Sequence, residues 1–171
     1  MSTQQIDSIK RIFSSRLETL EHILDLGKVH FNDPDKMMDL RLSEDMFPLG
    51  AQVALICNQP RGFSQWCAGL AIENLSIEVP SLEMAQYAIS QTKDLINNIH
   101  VDDGQLNRIK RIGLGPGRFC EVSGHLYVED YLMPNFYFHL TTVYALLRAE
   151  GIKLGKADFL TYLAPYVKTT D

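Results

Sequence analysis

The sequence predicts an all-α domain, a four-helix bundle with one small β-hairpin between its third and fourth helices. Three observations predict it. Four segments repeat apolar residues at the helical period of about 3.6. Proline, glycine or a capping residue marks the ends of these segments. One stretch, RIKRIGLGPGRFCEV at 108–122, abandons that period for two strand-like arms around a Gly/Pro-rich centre.

The first helix is expected from about Thr3 to Phe31, with Ile6, Phe13, Leu17, Leu20, Leu24 and Phe31 on one stripe and His22 pointing away. Asp33-Pro34 ends it. The second is expected from near Asp45 to about Leu70. Ser43 or Asp45 would be its N-cap, Pro48 would sit in its first turn, and Pro60 and Gly62 would kink it. Its stripe is Leu49, Ile56, Phe63 and Cys67. Residues 71–80 cross over as an extended segment. Ser81 caps the third helix, which runs to Ile99 with Met84, Ala88, Leu95 and Ile99 facing inward. The hairpin arms are Arg108–Ile112 and Arg118–Val122. Ser123 caps the fourth helix, Pro134 kinks it, and Gly151 ends it. The tail carries a short helical piece expected to pack across one end of the bundle.

The chain, 1–171, is one domain long enough to bury a core, and its 46% hydrophobic and 22% charged residues exclude disorder. A formal charge of -5 argues against nucleic acid and against an anionic membrane surface. No run reaches the ~18 apolar residues of a membrane span. The opening MSTQQIDSIKRIF is amphipathic and has no signal-peptide core, so a cytoplasmic location and reduced thiols are expected. Cys57 and Cys67 lie ten residues apart, which is no zinc spacing, and are expected as buried small hydrophobes.

The glycines of GLGPGRF lack the lysine and hydroxyl of a phosphate loop, so a hairpin turn is the expectation there. Arg108, Lys110, Arg111 and Arg118 make the one basic patch. The polar residues that demand an explanation are elsewhere. At about 100° per residue, His139 falls in the middle of the fourth helix's inward stripe, with Asn135 one turn before it. Gln52 lies between Leu49 and Ile56 on the apolar side of the second helix, with Asp45 two turns before it and Gln59 two turns after. Buried amides and imidazoles cost roughly 1–3 kcal/mol each without partners. A shared cluster between the second and fourth helices, or a small enclosed pocket, would satisfy them. Tyr144 is a further candidate lining residue, or a contact to a second chain. No GxSxG or Cys/His pair one turn apart supports a nucleophile.

PNFYFHLTTVYALLRAEG, DMFPLGAQV and LGKADFL resemble the DUF1993 family of bacterial proteins over residues 7 to 162. That family is grouped with the DinB/YfiT-like superfamily of metalloenzyme candidates. The resemblance implies a four-helix bundle, often dimeric, and a metal site of one histidine on helix 2 and two on helix 4, four residues apart. His139 matches the second helix-4 histidine. Asn135 stands at the first, and Gln52 at the helix-2 position. Amides are weak donors, so no metal is expected. Were nickel or zinc to bind, His139 with Asn135 and Gln52 would hold it. The leading expectation is thus a metal-free pocket around His139, Asn135, Gln52, Asp45 and Tyr144 that takes a small molecule. The others are a metal-dependent hydrolase or thiol transferase, and a purely structural protein acting as a homodimer.

Overall fold

The computed structural model describes residues 2–170. Its main elements are α1 (Gln4–His30), α2 (Leu49–Cys67), α3 (Leu82–Asn97), the antiparallel strands β1 (Ile109–Gly113) and β2 (Phe119–Ser123), α4 (Gly124–Leu126), α5 (Met133–Ala149) and α6 (Lys156–Phe159). A π-helical segment, Tyr127–Leu132, joins α4 to α5, so that 124–149 is one continuous fourth helix. Short 3-10 turns fill Pro34–Asp39, Asp103–Asn107 and Thr161–Tyr166. α2 is the central helix, packed on both α5 and α3. Phe13, Phe63 and Phe136 interlock where α1, α2 and α5 meet, with the Phe13 and Phe136 rings edge to face at 5.1 Å. Truncating any of them to alanine would cost about 3–5 kcal/mol.

Ser81 and Ser123 cap α3 and α4, accepting from the backbone N–H of Met84 and Leu126. Gly151 ends the fourth helix at φ +85°, a conformation that a Cβ resists. The hairpin pairs Ile109 with Ser123 and Gly113 with Phe119, one residue later on each arm than the expected bounds.

Three expectations require correction. The second helix begins at Leu49 with Pro48 as its N-cap, and neither Ser43 nor Asp45 caps it. Asp45 is exposed and takes a 2.6 Å hydrogen bond from the Ser43 hydroxyl instead. The inward row of α3 is Leu82, Ala85, Ile89, Thr92 and Ile96, whereas Met84 is 48% exposed. Thr92 made the true row look polar, yet its hydroxyl donates to the Ala88 carbonyl at 2.7 Å and needs nothing else.

The third correction concerns the fourth helix. Pro134 sits in the first turn of α5, and the irregularity lies just upstream, in Tyr127–Leu132. Proline has no N–H to give, and its ring crowds the carbonyl four residues back. The wide π-helical turn absorbs both demands. The count of about 100° per residue holds from Met133 onward but not back across this turn to Val128. The buried face is Leu132, Phe136, Leu140, Thr142, Val143, Leu146 and Leu147, and His139 stands half-buried on its flank.

Candidate functional site

On that flank His139 meets α2. Its Nδ1 lies 2.7 Å from Gln52 Oε1. Gln52 is 2% exposed, and its Nε2 donates to the Phe47 carbonyl at 3.1 Å, which orients the amide. Oε1 can only accept, so Nδ1 carries the proton and donates. Burial holds the imidazole below its ordinary pKa and favours the neutral ring. Nε2 is therefore a lone-pair acceptor, with no hydrogen-bond partner among the described residues.

His139 forms part of the wall of a cavity of about 310 Å³ between α2, the crossing segment, β1 and the fourth helix. α2 contributes Asn58 and Gln59. Asn58 Oδ1 accepts from Leu75 N–H at 2.8 Å and pins the crossing segment. Gln59 Nε2 donates back to the Leu55 carbonyl at 3.0 Å, which leaves its oxygen free. From the fourth helix come Tyr127, Tyr131 and Asn135. Asn135 Nδ2 donates to the Tyr131 carbonyl at 2.6 Å, one of the carbonyls of the π-helical segment. The hairpin contributes Lys110 and Ile112, which share the inward face of β1.

The sequence-derived candidates divide accordingly. His139 and Asn135 line the cavity, and Gln52 stands behind His139 as its orienting partner. Asp45 is on the surface before α2. Tyr144 is half-buried, with its ring 5.6 Å from Phe159 of the tail, and neither residue is part of the cavity wall. Lys110 and Tyr127 were not singled out as lining residues. Their membership depends on where the hairpin docks, a long-range contact that leaves no local pattern in the chain. Cys57 and Cys67 are buried, and burial pushes both thiols up to about 12, which makes them poor nucleophiles.

A family profile described as a domain of unknown function, DUF1993, matches residues 7–160. The chain belongs to the DUF1993 family. Among solved structures, this DUF1993 protein is similar to one described as a DinB family member protein from Shewanella denitrificans. The TM-score is 0.78, with 24% identity over 92% of each chain, and that likeness shows the fold. No curated protein matches the chain at a significant level. The three-histidine metal site expected from the sequence resemblance does not fit the residues present in this DUF1993 chain. One imidazole nitrogen is already committed to Gln52, and the neighbouring groups are neutral amides. Among the described residues no three His, Cys, Asp or Glu side chains cluster as metal ligands.

Proposed function

We propose that this DUF1993 protein binds a small polar molecule in the cavity beside His139, without a metal ion. The observation that carries the reading is the Gln52–His139 hydrogen bond. It fixes a neutral imidazole with one free acceptor nitrogen at the wall of a cavity large enough for a metabolite. A histidine serving only to hold two helices in register would need no cavity at its other nitrogen. A ligand hydroxyl or N–H donating to His139 Nε2, with Asn135 and Gln59 as flanking amides, is the recognition these groups offer. Pairing of two chains, expected from the family resemblance, belongs to the same proposal, and sedimentation velocity decides it.

A thermal-shift screen of nickel, zinc and a panel of polar metabolites tests the pocket. A ligand at about 100 times its Kd contributes roughly 2.7 kcal/mol. Stabilisation by a metabolite, retained in the presence of a chelator and lost in His139→Leu, is expected. Stabilisation by nickel or zinc with stoichiometric uptake would replace the reading with the metal-dependent one.

A further inference from the structure

We infer that the molecule taken by this cavity is a small organic anion with a single carboxylate, and that Lys110 and Tyr127 receive that carboxylate. The inference rests on the pocket reading above and adds the charge class of its occupant.

The charge of the wall is the first argument. The chain has 21 acidic residues and a net charge of -5, yet no aspartate or glutamate lines this cavity, while Lys110 and Arg111 do. The local field is thus opposite in sign to that of the molecule as a whole, and a low-dielectric cleft focuses it. The two cations are not equivalent. Arg111 is exposed, with its guanidinium 3.6 Å above the Phe119 ring. Lys110 is half-buried, with Nζ 5.5 Å from the centre of the Tyr127 ring. It makes no ion pair or hydrogen bond with any described residue. Partial burial without a counter-charge also holds its pKa below the usual lysine value. An anion in the cavity supplies the missing partner.

Tyr127 is the second, independent argument. It is 3% exposed and lines the cavity, yet its hydroxyl has no hydrogen-bond partner among the described residues. That leaves the hydroxyl to whatever occupies the cavity. The hydroxyl is not sealed in protein, since the one buried orphan among the described polar side-chain atoms is Arg61 Nε. Gly62 makes room for it, because a Cβ there would stand 3.2 Å from the oxygen. Burial raises the phenol's pKa, so it stays protonated and can donate. One ammonium and one phenol match the single charge and two oxygens of a carboxylate. A phosphate dianion would call on a second cation, and the Arg111 guanidinium is stacked on the Phe119 ring. With His139 Nε2 accepting, the occupant carries a hydroxyl or N–H donor as well, and short hydroxy acids are the simplest probes of that class.

The test uses the full-length protein and a matched series of glycolate, lactate and mandelate with their amides, titrated at constant ionic strength and followed by the His139 ring signals in NMR. The amides keep the shape and lose the charge. Each acid is expected to bind at least roughly tenfold tighter than its amide. Lys110→Met should abolish that preference while leaving amide binding in place. Tyr127→Phe should weaken it in part, with the wild-type circular dichroism spectrum retained. Equal binding of acid and amide, or a preference that survives in both variants, overturns the anion assignment and leaves the pocket standing. Failure of acids and amides alike to bind overturns both.

Discussion

At His139 the two ring nitrogens have separate tasks, and Gln52 assigns them. Gln52→Ala removes the acceptor of the Nδ1 proton. The expected cost is about 1 kcal/mol, or roughly 2–4 °C in Tm, together with a mixed tautomer population visible in the imidazole nitrogen shifts. The ring also sets a pH dependence. Its folded pKa lies below the ordinary 6.5, so the unfolded chain takes up the proton first as pH falls. The contribution is therefore complete above about pH 6.5 and is lost as pH drops through the lowered folded value. Thermal unfolding of wild type and His139→Gln between pH 5 and 7.5 should show a stability difference that shrinks on acidification. A constant difference would remove the titration from the account. Helical spacing alone placed Gln52 and His139 on apolar faces, where polar groups need partners. It could not show that Tyr127 and Lys110 join them, since neither is anomalous in its own segment. A tyrosine among aromatics and a lysine on a hairpin are ordinary until the two surfaces meet.

Between elements the tightest approach is at Gly50, in the first turn of α2. A Cβ there would lie 2.1 Å from the Val79 carbonyl oxygen, which is backbone and cannot rotate away. Gly50→Ala should force the crossing segment off α2 at a cost of roughly 1–3 kcal/mol, read as a lowered urea midpoint at unchanged m-value. Because the same segment is pinned by Asn58 at Leu75, the cavity wall should loosen with it. The elements themselves were legible from periodicity, caps and turn residues, hairpin included. Their rotational phase was less so. On α3 two rows of residues share the helical spacing, and packing against α2 and α1 chose the row containing Thr92. On the fourth helix the proline was visible, but the wide turn that accommodates it was not.

Over the whole molecule, the C-terminal tail straps α1. Thr161 and Thr19 hydroxyls meet at 2.7 Å, His22 Nε2 lies 3.0 Å from Asp158, and the Arg16 guanidinium sits 3.5 Å over the Tyr162 ring. Phe159 covers Tyr144. A chain ending at Leu154 would uncover Thr19, which is fully buried, together with the Tyr144 ring. It is expected to melt several degrees lower and to bind an apolar dye in its native baseline; an unchanged melting curve would mean that the strap adds nothing. The π-helical segment reaches further than its six residues. It sets the rotational offset between Tyr127, at its start, and His139, beyond its end. A π-helical turn lodges one extra residue, so deleting one from it should tighten the screw into an ordinary α-helix and leave everything downstream in place. The same deletion made within α5, between Met133 and His139, meets no such slack and would bring Leu140 to the place of the imidazole opposite Gln52. This short coil thus takes up the slack of one residue, while two chemically distinct faces of one helix stay on a common hollow.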